Sequence, residues 1–337
     1  MYPPIAYYPP PVYYGQAPLS IEARMERKSL RRIGNLIGWA FVISQVSVQV
    51  LIIVLSLVLR ELSLGWVLED PMVSLLLQFG LSILMFVPPF MIVARRLRPR
   101  GSAAPPIFQF KKPPVKISVA VVALGLGLAG LGNIATGQIA QLLGILGIPL
   151  EQSDFSLPGG PFGSLMFVLT ISAVPALVEE FALRGVVMGA LRPYSHAFAL
   201  VASSVMFGAM HGNFVQAPFA FVGGLGMGFA ALATGSIWPA VIIHFINNLL
   251  SVLLSMLPEQ YANLANYSWL MLTLLLGVVG LALLLKWRPA AFSIKGQLSA
   301  LPAKGKAKAF FLSPGIVVAN VVFLLEALLA ILLSLLG

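Results

Sequence analysis

The sequence predicts an all-α fold, a polytopic transmembrane helical bundle of about eight to nine spanning helices. Of its 337 residues, 59% are hydrophobic and only 9% are charged, whereas soluble domains carry about 25% charged residues. Such a chain cannot cover a surface that faces water, so lipid must surround most of it. Nine long apolar runs follow one another, and most reach the roughly 20 residues that a spanning helix needs.

The nine runs define the predicted helices in order. The third and fourth are longer than one crossing requires, which indicates tilted or broken helices. The boundary between the fifth and sixth is the least distinct, because only Asn213 separates them cleanly. The runs are 33–59, 72–94, 117–147, 163–191, 196–212, 214–233, 237–257, 268–285 and 310–336.

The runs and the segments between them divide the chain into four parts. Residues 1–32 are predicted to be a disordered cytoplasmic tail, because the first twenty are rich in proline and tyrosine and the next twelve are basic. The ninth run follows a lysine-rich loop and looks like an addition to the core. The other parts are N-terminal helices, a polar-residue-containing core and C-terminal helices, at 33–162, 163–257 and 258–337.

The distribution of charge predicts the orientation in the membrane. Basic residues cluster before the first run and after the second, fourth and eighth, which nine crossings place on one side. The excess of Lys and Arg predicts a cytoplasmic N-terminus, in the plasma membrane of a prokaryote. The net charge of +10 is therefore a topology signal, and we predict membrane lipid rather than nucleic acid as a partner. Apart from Arg60, the opposite connections carry acidic residues, namely Glu61, Glu69, Asp70, Glu151, Asp154 and Glu259.

A small set of polar side chains falls within the apolar runs. Ionisable groups at membrane depth are costly and by default suggest function. Most of those in this chain lie between residues 179 and 248. The set consists of Glu179, Glu180 and Arg184 in the fourth run, His211 at the end of the fifth, and His244 with Asn248 in the seventh.

Helical spacing predicts how these side chains share faces. Glu180 and Arg184 are four residues apart and can pair, and His244 and Asn248 can project into one cavity. Glu179 and Glu180 point about 100° apart around a helix. We therefore predict that one glutamate faces a cavity while Arg184 holds the other.

This set of residue types favours acid–base hydrolysis. A carboxylate in a low-dielectric cavity is a good base near neutral pH, and it can pass a proton from water to a leaving amine. A nearby histidine or asparagine can donate to the oxyanion that forms. The chain has no cysteine, which excludes disulfides and a thiolate nucleophile. Ser203 and Ser204 are predicted to be helix-contact residues rather than nucleophiles.

Three short motifs resemble those of the CPBP family of intramembrane proteases, also called the ABI family, which includes the CAAX prenyl protease 2 Rce1. The patterns EExxxR, FxxxH and HxxxN match residues 179–184, 207–211 and 244–248. Each motif is weak alone, but their order and placement at membrane depth make the combination specific. The resemblance covers about residues 165–255.

The resemblance implies that the chain hydrolyses a peptide bond in a membrane cavity open to the cytoplasm. It assigns the general base to Glu179 and a helper acid to Glu180. His211 and His244 carry over as the family's histidines, and Asn248 as an oxyanion or water-orienting group. The implied substrate is a membrane-anchored peptide or protein, with CAAX-type prenylated proteins as one candidate class.

Metal use is left as an alternative. The family was long described as metalloproteases, and two histidines with a glutamate can hold Zn²⁺. The HExxH spacing is missing, however, so we prefer a glutamate-activated water with no cofactor required.

Two other functions compete with the peptidase interpretation. The first is a non-catalytic scaffold or bacteriocin self-immunity protein of the same fold. The second is a transporter with a Glu and His proton relay, although transporters often show two related halves and no repeat is evident here. Of the remaining polar residues, His196 is predicted to be interfacial, and Glu326 a packing, interface or accessory residue. The glycines of the stretch LGLGLAGLGN, at residues 124–133, and those around Gly224 and Gly228 predict close helix packing.

Overall fold

The computed structural model describes residues 19–97, 110–148, 159–288 and 299–336. These residues form helices and turns, with no strand in the described ranges, so the predicted all-α bundle is confirmed. Nine helices correspond to the nine predicted runs, and α2 and α10 are short additional helices. In chain order they are α1 (Ile21–Glu61), α2 (Trp66–Glu69), α3 (Pro71–Leu97), α4 (Val115–Ile145), α5 (Gly160–Leu191), α6 (His196–Ala209), α7 (Gln216–Thr234), α8 (Trp238–Ser255), α9 (Glu259–Trp287), α10 (Ala303–Phe311) and α11 (Pro314–Leu336).

Not every one of these helices is long enough to cross a membrane. Seven described helices have the length and apolar composition of a span, whereas α6 and α8 are shorter apolar helices. Helix α6 has 14 residues and is therefore about 21 Å long. This length falls short of the roughly 30 Å hydrocarbon layer. The sequence thus located nine helices correctly, but two of them are shorter than the predicted spans.

Helix α1 corrects the predicted extent of the N-terminal tail. It begins at Ile21, where the Ser20 side chain accepts a hydrogen bond from the amide of Ala23. With 41 residues it is about 61 Å long, so its basic first turns extend well beyond a bilayer. The prediction of disorder is therefore wrong for residues 21–32, because the first helix begins before the apolar run and includes them. Residues 1–18, and Arg98, Arg100, Glu151, Asp154 and Lys295, lie outside the described residues.

Close packing joins the helices into one bundle. Helix α4 packs against α7 and α9, α5 packs against α3, α6 and α8, and α1 packs against α3, α10 and α11. Where α4 meets α9, a Cβ added to Gly127 would lie 2.3 Å from the Cα of Gly277. The predicted role of the glycines in close helix contacts is confirmed there.

Contacts between helices show which helix ends lie together. A carboxylate oxygen of Glu26 in α1 accepts a hydrogen bond from the amide of Ala300, just before α10. The rings of Phe110 and Trp238 bring the start of α4 close to the start of α8. We call the end of the bundle that contains these helix starts the basic end, and the opposite end the far end. The described basic residues at the basic end are Arg24, Arg27, Lys28, Arg31, Arg32, Arg95, Arg96, Lys111, Lys112, Lys116, Arg192, Lys286, Arg288, Lys304, Lys306 and Lys308.

Candidate active site

Helix α5 supplies both glutamates and the arginine from an irregular stretch. It contains two π-helical segments, Leu169–Ala173 and Phe181–Val187. Glu179 and Glu180 are the last residues of the α-helical segment between them, and Arg184 lies in the second π-helical segment. Such π-turns within α-helices frequently occur at functional sites.

Arg184 forms the structural centre of the site. Its Nη1 lies 2.8 Å from Glu180 Oε1, and both side chains are fully buried. Its Nη2 donates a hydrogen bond of 2.9 Å to the carbonyl oxygen of Gly224 in α7. The guanidinium carbon also lies 4.6 Å from the centroid of the Phe207 ring in α6, within cation–π distance. The predicted pairing of Glu180 with Arg184 is confirmed, and this arginine links α5 to α6 and α7.

His244 in α8 lies between the two glutamates. Its Nδ1 is 3.1 Å from Glu180 Oε1, and its Nε2 is 3.9 Å from Glu179 Oε2. A carboxylate accepts hydrogen bonds, so Nδ1 is the donor toward Glu180. The neutral ring then has its lone pair on Nε2, facing Glu179. Glu180 thereby sets the tautomer and the orientation of His244.

His211 lies two residues beyond the end of α6. Its Nδ1 is 2.7 Å from the carbonyl oxygen of Phe207, which can only accept, so Nδ1 carries the proton. Nε2 is therefore the ring nitrogen left for other partners. The Phe207 ring centroid lies 5.1 Å from that of His211 and 5.6 Å from that of His244. Phe207 thus contacts both histidines and Arg184.

These side chains surround a small cavity of about 90 Å³, several times the space that one water needs. Its polar wall includes Glu179, His211, His244 and Asn248. Glu179 Oε2 is buried and has no hydrogen-bond partner among the described residues. The structure therefore brings four of the six predicted residues to one cavity. The other two, Glu180 and Arg184, pair with each other, and His244 connects this pair to the cavity.

Two residues near the site, Asn247 and Gln45, were not predicted, and a third, Glu326, was predicted only as a packing, interface or accessory residue. Asn247 lines the same cavity as Asn248, and a second amide beside it in an apolar helix was the available signal. Gln45 of α1 donates a 2.8 Å hydrogen bond to the carbonyl oxygen of Met210, directly before His211. Nothing in the sequence indicates that contact. Glu326 of α11 lies beside Gly212, which places it next to the turn that carries His211.

The serines and the third histidine lie away from the cavity. Ser203 and Ser204 are buried in α6, and both hydroxyls donate to the carbonyl oxygen of Leu200. A Cβ added to Gly224 would lie 3.2 Å from the Cβ of Ser204, so the predicted helix contact is confirmed there. His196 is the first residue of α6 at the basic end.

Two histidines and a glutamate line the cavity, and these are donor types that zinc can use. Protein zinc sites use three or four ligands at about 2.0–2.3 Å from the metal. In the described part of the chain, no group of three or more His, Asp or Glu side chains is placed to hold a metal ion. As they are placed, the described side chains therefore do not form a zinc site.

The turn between α6 and α7 depends on Gly212. Its φ of +53° lies in the left-handed region that favours glycine. A Cβ on Gly212 would also lie 3.0 Å from Glu326 Oε2. Replacement of Gly212 by alanine should cost about 1–2 kcal/mol of backbone strain and displace His211. We expect slower peptide hydrolysis, measured as kcat of the purified chain.

Gly235 provides the matched control for that variant. Its φ is +68°, but a Cβ there would meet no described atom within 4 Å. Gly235→Ala should therefore lower the thermal unfolding temperature about as much as Gly212→Ala does. Its kcat should remain that of the wild-type chain. Equal kcat losses in both variants would contradict a specific role for the Gly212 turn.

The sequence of this segment matches a known protein family. Residues 161–250 match the family model described as type II CAAX prenyl endopeptidase Rce1-like. The matched segment contains all six predicted site residues, and the match supports an intramembrane CAAX-type protease in general. No curated protein and no solved structure matches the chain.

Proposed function

We propose that this chain is an intramembrane endopeptidase that hydrolyses a peptide bond of a membrane-associated substrate. The observation that carries the proposal is the Glu179 carboxylate on the wall of the cavity. Its Oε2 has no hydrogen-bond partner among the described groups and lies 3.9 Å from His244 Nε2. That separation is too long for a direct hydrogen bond, and a water in the adjoining cavity can lie within hydrogen-bond distance of both atoms.

A water that contacts both of these groups from the cavity is the proposed nucleophile. One of its hydrogens is directed at Glu179 and the other at the lone pair of His244 Nε2. Glu179 removes a proton as the water oxygen attacks the carbonyl carbon. Glu179 then gives that proton to the departing nitrogen as the C–N bond breaks, so the products are a carboxylic acid and an amine. The acid ionises afterwards in water.

The oxyanion of the tetrahedral intermediate needs donors from the same wall. The side-chain amides of Asn247 and Asn248 line the cavity and are the proposed donors. His211 supplies a further donor at Nε2 when its ring is protonated, since Nδ1 already donates to Phe207. Donors that are held in place before the reaction stabilise such charge without reorganisation.

Glu180 and Arg184 are positioning residues in this proposal. Arg184 holds Glu180, and Glu180 directs the lone pair of His244 toward the cavity. Both charged side chains of this pair are fully buried, so neither can contact water or substrate. This division leaves Glu179 as the proton carrier.

The direct test is cleavage of membrane-anchored peptides by the purified full chain in detergent micelles. Products are identified by mass spectrometry in ¹⁸O-labelled water. We expect one ¹⁸O in the new carboxyl group, and we expect Glu179→Gln to cleave about 10²–10⁴-fold more slowly. Cleavage that proceeds equally in that variant would overturn the proposal and favour a contaminating protease.

Chelation tests whether a metal takes part in the reaction. We expect a strong chelator to leave the hydrolysis rate unchanged, because the proposed proton carrier and donors are protein side chains. A zinc protease of known chelator sensitivity, assayed in the same micelles, is the control. Complete loss of activity that added Zn²⁺ restores would contradict the metal-free mechanism.

A further inference from the structure

Two helices outside the catalytic cavity, α1 and α11, contact the turn that carries His211. The described wall of the cavity includes no residue of either helix. Gln45 of α1 donates a 2.8 Å hydrogen bond to the carbonyl oxygen of Met210, and Glu326 of α11 lies against Gly212. Because Met210 and Gly212 are the two chain neighbours of His211, these contacts flank the histidine on both sides.

The hydrogen bond from Gln45 satisfies a carbonyl group just beyond the end of α6. The last carbonyls of an α-helix have no amide partner in the next turn. The carbonyl of Phe207 accepts from the ring of His211, and that of Met210 accepts from Gln45. An unpaired carbonyl at membrane depth is costly, because no water is there to satisfy it. The bond from Gln45 therefore fixes the backbone on which His211 is mounted.

Glu326 fills the space beside Gly212. A Cβ built on Gly212 would lie 3.0 Å from both the Cβ and the Oε2 of Glu326. The amide of Gly212 donates to the carbonyl of Ala209 rather than to this carboxylate. Glu326 thus contacts the turn through packing, and it occupies the volume into which the turn would otherwise move.

The positions of Gln45 and Glu326 follow from one aromatic contact between α1 and α11. The rings of Phe41 and Phe323 meet edge to face, with their centroids 5.7 Å apart. Gln45 is four residues after Phe41, and Glu326 is three residues after Phe323. Residues at these spacings are neighbours on one helix face, so both polar side chains lie next to the same contact.

Close packing keeps α1 and α11 in a fixed register. A Cβ added to Gly38 would overlap the carbonyl carbon of Gly315. The amide of Gly315 also donates a 2.8 Å hydrogen bond to the side-chain oxygen of Asn35. Neither helix can slide past the other without loss of these contacts. The two helices therefore form a rigid support for the turn.

We propose that Gln45 and Glu326 are positioning residues for His211. They hold its ring where Nδ1 reaches the Phe207 carbonyl, which leaves Nε2 for the oxyanion. This inference rests on the proposed function for the catalytic role of His211. It gives the ninth long helix, which the sequence marks as an addition to the core, a role at the site.

The tautomers of the three histidines provide a direct test. The purified full chain is labelled with ¹⁵N-histidine and studied by NMR in detergent micelles, and His211→Asn identifies the signals of that ring. Gln45→Leu removes the donor but keeps a similar volume. We expect this variant to change the tautomer populations of His211, because the displaced ring loses its bond to Phe207. His196 and His244 should keep their wild-type populations.

Gln49→Leu is the matched control, because Gln49 lies one turn further along α1 and is exposed. It should leave His211 unchanged. The proposal fails if Gln45→Leu does not alter the His211 tautomer, if both variants alter it equally, or if all three histidines change together. Gln45→Asn shortens the side chain by one methylene, and it replaces Gln45→Leu, with the same expected result, if that variant does not accumulate.

Kinetics test the link between this support and catalysis. Gln45→Leu should lower kcat for peptide hydrolysis by about 10–10²-fold, because a small misplacement of a catalytic group can cost that much. KM should stay at the wild-type value, since His211 is proposed to act on the oxyanion rather than on the bound substrate. A wild-type kcat together with an altered His211 tautomer would exclude the catalytic consequence of the support.

The NMR measurement does not require hydrolysis. If the chain cleaves no peptide, the proposed function fails, and the His211 tautomer in Gln45→Leu still decides whether α1 positions the turn. If the chain cleaves peptides and this tautomer is unchanged, the positioning role alone fails. The two failures are therefore distinguishable.

Two substitutions of Glu326 separate packing from charge. Glu326→Gln keeps the volume beside Gly212 and should retain the wild-type kcat. Glu326→Ala opens a gap there and should lower kcat as Gln45→Leu does, whereas the truncation Leu325→Ala, at a side chain that is 60% exposed, should have no effect. A loss of activity in Glu326→Gln, or full activity in Glu326→Ala, would contradict the packing role of this residue.

Discussion

Replacement of Glu179 by glutamine is expected to lower kcat for peptide hydrolysis by about 10²–10⁴-fold. Glutamine has nearly the same shape, but it cannot take a proton from water or return one to the leaving amine. Arg184 pairs with Glu180 rather than with Glu179, so the substitution removes no buried ion pair. Thermal unfolding of the purified variant should therefore match that of the wild-type chain. The rate is measured under single-turnover conditions with a membrane-anchored peptide.

Glu180→Gln is the matched control, because it makes the same chemical change at the next residue. It should fail in a different way, by loss of the folded protein, since it leaves the charge of Arg184 buried without its partner. A Glu179→Gln variant that hydrolyses the peptide at the wild-type rate would refute the base assignment. In that event the non-catalytic scaffold or immunity protein becomes the better description of this chain.

Replacement of Arg184 by alanine should destabilise the fold by about 3–5 kcal/mol. The arginine is 2% exposed and makes hydrogen bonds to Glu180 and to the Gly224 carbonyl. Its loss leaves the Glu180 charge buried beside a cavity and removes the link between α5 and α7. The measurement is the free energy of unfolding in mixed micelles, titrated with a denaturing detergent.

A double variant separates the charge effect from the loss of side-chain volume. Glu180→Gln combined with Arg184→Met removes both charges and keeps most of the volume, so it should recover most of the stability lost in Arg184→Ala. The double variant should nevertheless hydrolyse the peptide slowly, because His244 loses its carboxylate partner. Wild-type stability of Arg184→Ala would show that the buried pair does not hold the helices together.

Much of the site's local geometry follows from helical periodicity. The four-residue spacing predicts that Glu180 meets Arg184, and the structure has them 2.8 Å apart. The 100° offset between consecutive residues predicts that Glu179 faces elsewhere, and it lines the cavity. Both results depend only on residues within one helix. For that reason they could be predicted from the sequence.

Contacts between distant segments were less accessible to sequence reasoning. Gln45 is 165 residues from Met210 along the chain, and no local pattern connects them. Asn247 and Asn248 are consecutive, yet both line the cavity, because the cavity extends around α8. The α1 helix also continues through the basic residues 21–32, where composition alone predicted disorder.

The sequence by itself determined the class of the fold, the positions of the nine longer helices and the small set of polar residues that membrane burial makes costly. It could do so because lipid imposes length and hydropathy on each helix separately. Only the tertiary structure decided that Glu179, His211, His244 and Asn248 share one cavity. That feature depends on how the helices pack side by side, and no single helix carries that information.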